Sequence, residues 1–401
     1  MRVARRQLVL AVDVGTTKVS ALVGEARPDD DLAVIGIAAT PVVGMRRGLV
    51  FEVERVALAI RDAVNRANSM AGTELAVAGI SVNGDHLTLT PGRAEIPVRT
   101  GTVREEDVRM AIHKASQIKL PADHEVVEVI RRGIAVDGFR GVNDPVGMVG
   151  HALAAEVFVV SGLSMVLRNL RRVVTMAGIT PIGFTAGIKA AADGVLGNDD
   201  RQLGVVLLDV GGGTTGIAVY RGGHLQHLGV VPIGGEAITS DLAVGLGVVA
   251  AQAERLKLEY AQVGGGRDGT VELHSVNGQS LKRIEVGELE EIVQARVEEW
   301  ATFIEDQLRQ VEWTKGPAAG VVVTGGGSSL KGLVSFLEER WGWPARIGQP
   351  KVLKGLSDLT RNPGYSTVVG LARGLVGPEA LTAAGGGWWT WVRLFMRRWL
   401  R

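Results

Sequence analysis

The stretches LVLAVDVGTTKVSALVGE (residues 8–25) and LGVVLLDVGGGTTGIAVYRGG (residues 203–223) decide the fold, because the second repeats the plan of the first. Each runs from an apolar strand into Asp-Val-Gly, a Gly/Thr turn and a second apolar strand, which predicts a β-hairpin. One such turn means little, since Gly-Thr turns are common in ordinary hairpins. Two matched copies predict a duplicated fold whose hairpins face each other. Glycine has no Cβ, so Gly15, Gly211, Gly212 and Gly213 let backbone N–H groups approach phosphate oxygens. The hydroxyls of Thr16, Thr17, Thr214 and Thr215 can add hydrogen bonds, and Lys18 adds charge. Asp13 and Asp209 stand at the turn entrances, placed to hold waters of a Mg²⁺ ion, which keeps much of its hydration shell.

Two further elements belong with these loops. GVVVTGGGSSLKGL (residues 320–333) reads as a strand, a triple glycine and a helix start, with Ser328 or Ser329 as the expected N-cap. AQAERLKLEYA (residues 251–261) puts Glu254 and Lys257 three apart on one helix face. Taken alone, that pair reads as a solvated surface pair. Its value depends on the other loops.

At 401 residues the chain can form two or three domains with sizeable cores. A net charge of +1 gives no general attraction to nucleic acid, so no such partner is expected. The lack of cysteine excludes disulfides and thiolate metal sites and fits a reducing cytosol. MRVARRQLVLAVDVG mimics a signal peptide, but its apolar run stops at Asp13, short of the roughly 7–15 residues needed, and reads as a first strand. No stretch approaches the roughly 20 apolar residues of a spanning helix. His224 and His227 lie on an expected hairpin without a third ligand nearby and read as surface residues.

GGGWWTWVRLFMRRWLR (residues 385–401) holds half of the eight tryptophans. On a helix at about 100° per residue, Trp388, Trp391, Val392, Phe395, Met396 and Trp399 share one face, and Arg393, Arg397 and Arg401 stack opposite. Such a helix would be about 21 Å long, too short to cross a bilayer but able to lie in its interface. Tryptophan prefers that boundary, and arginine is drawn to anionic headgroups. Docking on the protein's own body or in a partner groove is the alternative; the glycine run, which uncouples the helix, argues against it.

Two Asp-Val-Gly hairpins, a Glu-x-x-Lys helix and a late strand–GGG–helix together resemble the actin-like ATPase superfamily. More narrowly, GMRRGLVFEVERVALAIRDAV (residues 44–64), GVNDPVGMVG (141–150), VPIGGEAITSDLA (231–243) and YSTVVGLARG (365–374), with the second hairpin between them, resemble the FtsA family of bacterial cell-division proteins over nearly the whole chain. The resemblance implies an α/β, actin-like (ribonuclease H-like) two-domain ATPase fold with an inserted α+β subdomain 1C and a C-terminal amphipathic helix. Subdomain 1A would take residues 1–82 and 162–197, 1C residues 83–161, 2A residues 198–235 and 312–376, and 2B residues 236–311. Residues 377–387 would be a flexible linker and 388–401 a membrane-targeting helix. The 1C stretch EEDVRMAIHKASQI (105–118) has helical spacing in Val108, Ile112, Ala115 and Ile118, between expected short strands.

The same resemblance implies an ATP site. Gly15, Thr16, Thr17 and Lys18 would form one phosphate loop, and Gly211, Gly212, Gly213, Thr214 and Thr215 the other. Gly234 and Gly235 would flank the nucleotide, Glu254 and Lys257 contact ribose and adenine, and Gly325, Gly326 and Gly327 the adenosine. Asp13 and Asp209 would organise the magnesium water shell. Trp388, Trp389, Trp391, Val392, Arg393, Phe395, Met396, Arg397 and Trp399 would meet anionic membrane lipid. The implied role is a peripheral protein that polymerises on the cytoplasmic face of the membrane at the division site and tethers filaments of the tubulin-like protein FtsZ there. Its partners would be the FtsZ C-terminal peptide, further copies in an actin-like filament, and later division proteins through 1C. In 2B, SLKRIEVGELEEIVQARVEEW (280–300) offers Lys282, Arg283, Arg296 and Glu299 to that peptide, though each reads equally well as part of a solvated face.

Two other readings stay open. An actin-like pilus-assembly ATPase would bind a membrane partner's peptide instead of lipid. A sugar-kinase-type phosphotransferase would need a carboxylate base beside a polar pocket. In PIGFTAGIKAAADGVL (181–196), the position at which faster superfamily members carry a water-orienting Glu or Gln aligns with Ala186, so at most a weak ATPase is expected.

Overall fold

Both opening stretches fold as hairpins. Leu8–Val14 pairs antiparallel with Lys18–Ala26, and Val205–Val210 with Thr215–Arg221. Each first strand also pairs in parallel with a later one, Val77–Val82 in the first case and Val321–Thr324 in the second. Asp13 and Asp209 occupy the next-to-last position of their strands. The two halves therefore share one plan. Residues 7–376 are described by this computed structural model, apart from 28–31, 143, 267, 275–280, 312–315 and 352–353. The linker at 377–387 and the tail at 388–401, with every membrane-facing residue named above, lie outside the described residues.

The first half is a six-stranded sheet in the order Thr180–Ala186, Val77–Val82, Leu8–Val14, Lys18–Ala26, Leu32–Pro41, Lys354–Gly355. The second is five-stranded, in the order His224–Val231, Thr215–Arg221, Val205–Val210, Val321–Thr324, Ala345–Ile347. Strands covered on both faces read as continuous apolar runs, which explains VVLLDV. Successive side chains alternate faces, and Leu207 and Leu208, both fully buried, pack into two different cores. The helices Gly187–Val195 and Ser366–Leu375 cross so closely that a Cβ on Gly370 would collide with the carbonyl oxygen of Ala190, and one on Gly194 with that of Ser366. The stretch YSTVVGLARG thus owes part of its character to helix packing.

Between the strands Val77–Val82 and Thr180–Ala186 the chain makes a separate four-stranded sheet. Ala152–Leu163 pairs antiparallel with Thr88–Pro97 on one side and with His124–Val136 on the other, and Phe139–Arg140 forms the edge. The helix Glu105–Ser116 covers it and buries Val108, Ala111, Ile112 and Ala115. Ile118 falls beyond the helix end yet packs against the same core.

Three local expectations need correction. The triple glycine leads into a 3₁₀ turn, Gly326–Ser329, and the α-helix starts later, at Leu333 behind Gly332. Ser328 is no cap of that helix; its hydroxyl donates back to the carbonyl of Gly325 at 2.7 Å. His227 is buried rather than on the surface, packed beside Gln307, while His224 is half-exposed.

Candidate nucleotide site

The two glycine turns are built alike and meet tip to tip. Gly15 N–H donates to Lys18 O at 3.0 Å, and Gly211 N–H to Thr214 O at 2.9 Å. A Cβ on Gly212 would stand 2.5 Å from the Thr17 side chain, and one on Gly213 2.7 Å from Thr16 Oγ1. Only glycine lets the second turn come this close to the first. The helix Gly235–Gly245 then docks its amino end on the second turn: Gly235 N–H donates to Gly211 O at 3.0 Å and Glu236 N–H to Gly212 O at 2.8 Å. A Cβ on Gly234 would strike the carbonyl oxygen of Gly212, so that position is also confined to glycine.

Behind the turns lies an acidic pair. Asp13 accepts hydrogen bonds from Ser81 Oγ at 2.5 Å and Asn83 Nδ2 at 3.4 Å, and Asp209 from Thr367 Oγ1 at 2.9 Å. Burial raises the Asp13 carboxyl, against the pull of Ser81, Lys18 and Asn83. Burial, and then the charge of Asp13, pushes Asp209 up to about 6. Lys18 feels the converse: burial lowers its ammonium, and the two aspartates hold it up. Two carboxylates that cost energy when ionised, with one lysine near enough to feel both, suit a site completed by a cation.

The other wall is built around Lys257. Its ammonium reaches Glu254 at 2.7 Å, Thr239 Oγ1 at 2.9 Å and Gly235 O at 3.1 Å, so the pair on helix Ala250–Tyr260 is tied into the site and is not a solvated surface pair. Gly325, at φ 82°, passes over Asp209 and Val210 where a Cβ would clash with both. These walls enclose a cavity of about 630 Å³, within the usual range for a small-molecule site.

Most of the expected residues converge on it: Asp13, Gly15, Thr16, Thr17, Lys18, Asp209, Gly211, Gly212, Thr214, Gly235, Glu254, Lys257 and Gly325, Gly326 and Gly327. Gly213, Thr215 and Gly234 do not line it. Thr215 is fully buried, its hydroxyl donating to Ile233 O at 2.7 Å and accepting from Trp300 Nε1 at 2.9 Å. Sequence reasoning missed Asn83, Glu236, Thr239, Lys331 and Thr367, which also line the cavity. Ala186 ends the strand Thr180–Ala186 with no exposure, and the cavity instead meets Gly187 and Ile188.

Three of the four residues offered for a peptide are already engaged. Arg296 holds both carboxylate oxygens of Asp241, one of them at 2.9 Å, and also contacts Glu299. Arg283 pairs with Glu272 at 3.0 Å and is exposed. Lys282 falls on the strand Leu281–Glu285, and its side chain lies outside those described.

Residues 206–370 match the family profile described as "Cell division protein FtsA", and residues 84–161 that described as "SHS2 domain inserted in FTSA". Cell division protein FtsA of Pseudomonas aeruginosa is 34% identical over 369 residues, 91% of this chain and 88% of that protein. This chain belongs to the FtsA family. The Escherichia coli FtsA is similar at 32% identity, over 91% of this chain and 90% of its own length. The fold is actin-like: the PilM–PilN type IV pilus biogenesis complex matches with a TM-score of 0.66 at 17% identity, covering 92% of this chain and 99% of that one. The family's inserted domain is the four-stranded sheet with its helix.

Proposed function

We propose that this FtsA-family chain binds ATP with Mg²⁺ between its two hairpin turns, polymerises on the cytoplasmic face of the membrane at the division site, and ties FtsZ filaments to it. The observation that carries the nucleotide part is the tip-to-tip pair of glycine turns above Asp13 and Asp209. The turns offer close backbone approach for a phosphate chain, and the carboxylates are placed to orient waters around a magnesium ion. When bound, that ion would neutralise phosphate charge. Lys257 and Glu254 would face the ribose and adenine side. The subdomain limits given above belong to this reading.

Membrane attachment rests on residues 388–401. Several aromatic and aliphatic side chains entering the interface, each contributing at most about 1.5–3 kcal/mol, give favourable but reversible binding. Polymerisation would link many such anchors and raise avidity without new contacts. A linker of about a dozen residues spans roughly 20 Å, which keeps the body near the surface. Co-sedimentation with anionic liposomes tests the membrane and polymerisation parts of this reading. Wild type should pellet more steeply with protein concentration and with ATP, and Trp391→Glu or Phe395→Glu should stay in solution with ATP binding intact. Unchanged pelleting of both variants would place the membrane contact elsewhere.

A further inference from the structure

A short hairpin, Met45–Arg46 paired with Leu49–Val50, lies against both glycine turns. Gly48 N–H donates to Thr16 Oγ1 of the first turn at 3.3 Å. The backbone nitrogen of Arg47 lies 3.0 Å from where a Cβ on Gly213 of the second turn would stand. The register leaves Arg47 and Gly48 as a two-residue connection, with φ values of 49° and 81°. Positive φ at both central positions is the requirement of a type I′ turn, for which Asn-Gly, Asp-Gly and Gly-Gly are the fitting pairs. Arginine at the first position is a poor choice for the turn, since a long L side chain is disfavoured at φ > 0. A residue that breaks the local rule at the edge of a ligand cavity points to a role for its side chain.

Arg46 and Arg47 are both exposed, and neither forms an ion pair among the described residues. Arg46 nevertheless lies near enough for its charge to reach Glu236. Burial raises the Glu236 carboxyl, Lys257 lowers it, Glu254 raises it, and Arg46 lowers it. The cavity wall itself is poor in free positive charge. Asp13, Asp209, Glu236 and Glu254 face Lys18, Lys257 and Lys331, and Lys257 is already held by Glu254.

We propose that Arg46 and Arg47 bind the terminal phosphate of a nucleoside triphosphate held between the two turns, so that the hairpin distinguishes triphosphate from diphosphate. This rests on the nucleotide reading of the cavity. Guanidinium groups suit the task, because they keep their charge at any relevant pH and grip phosphate oxygens in pairs. A triphosphate then draws the hairpin, which is fastened to the first turn through Thr16, towards the second turn and Glu236. A diphosphate leaves the guanidinium groups without a ligand.

The test compares wild type with Arg47→Asn and with the double variant Arg46→Gln/Arg47→Asn. Calorimetric titration uses a non-hydrolysable ATP analogue and ADP, each with Mg²⁺, alongside thermal melting. Asparagine suits the turn better than arginine, so the melting temperature should hold or rise. The double variant should lose triphosphate affinity by about 10- to 100-fold, the worth of one or two charge-assisted contacts, with ADP affinity within about threefold of wild type. Arg47→Gly, also suited to the turn, should shift the ratio in the same direction. An unchanged triphosphate-to-diphosphate ratio in the double variant would overturn the inference while leaving nucleotide binding intact. If wild type bound neither nucleotide, the reading of the cavity would fall as well, and the two failures are told apart by the wild-type titration alone.

Discussion

Glu128 Oε1 accepts the backbone N–H of Ala186 at 2.8 Å, so a strand of the inserted sheet grips the residue just before a cavity-lining helix. Glu128 is buried, and its second oxygen has no hydrogen-bond partner among the described residues. Burial pushes the carboxyl up to about 7, opposed by the Lys189 charge and the Ala186 N–H. The insertion and the cavity-lining half therefore share a buried carboxyl group pushed towards neutrality.

Stability should fall as pH rises through the window from about 4.5 to 7. There the folded chain, with its raised carboxyl, binds more protons than the unfolded one. Asp209, pushed up to about 6, adds to the same slope. Glu128→Gln keeps an acceptor for Ala186 and removes the ionisation. It should match wild type near pH 5 and exceed it near pH 8 by on the order of 1–3 kcal/mol. Denaturant titrations at both pH values check this, and a loss confined to pH 8 would mean that the charge itself is needed.

The crossing of helices Gly187–Val195 and Ser366–Leu375 sets up a paired comparison within one helix. Gly370→Ala drives a methyl into the backbone of Ala190 and should cost about 2–3 kcal/mol, as overpacking does. Gly374→Ala, on the same helix with open space around the new methyl, should be neutral or stabilise by up to about 1 kcal/mol. Similar effects at the two positions would mean that the helices do not meet as described.

The hairpins, the duplicated plan and most of the cavity were legible in the sequence because glycine, threonine and aspartate recur there in two matched copies, which ordinary hairpins do not require. Thr215 was misplaced for a geometric reason. It is the first residue of a strand, and alternation turns its hydroxyl away from Thr214's side of the turn, towards Ile233 and Trp300. Thr239 and Thr367 escaped notice because their partners, Lys257 and Asp209, lie far off in sequence. The helix after the triple glycine was placed too early for a third reason: Ser328 spends its hydroxyl on the 3₁₀ turn.

Arg296 and Arg283 now separate as tests of FtsZ-peptide binding. Reversing Arg296 removes its grip on Asp241 and sets like charges against Asp241 and Glu299, so Arg296→Glu should cost about 1–3 kcal/mol of stability whatever it does to the peptide. Arg283 is exposed, and its pair with Glu272 is worth at most about 1 kcal/mol. Arg283→Glu should weaken binding of the acidic peptide and its salt dependence while melting and nucleotide affinity stay put. Equal peptide affinity in wild type and Arg283→Glu would remove Arg283 from the binding surface.

Nucleotide should be held well and hydrolysed slowly. An attacking water needs a group that orients it or accepts its proton, and at the start of the helix Gly187–Val195 the cavity meets only Gly187 and Ile188. Asn83 fills the space beside Gly187, where its amide can orient but is no base. Lys189, close by in sequence, is buried and bound to Asp193 at 2.7 Å. Single-turnover rates well under about 1 s⁻¹ are therefore expected, below ordinary enzymes. Ala186→Glu should not raise them. Its side chain would enter a fully buried position next to Glu128, costing a few kcal/mol for a second carboxylate there, and would not face the cavity. Turnover of several per second in wild type, or a gain in Ala186→Glu, would show that the water-orienting position lies elsewhere on this wall.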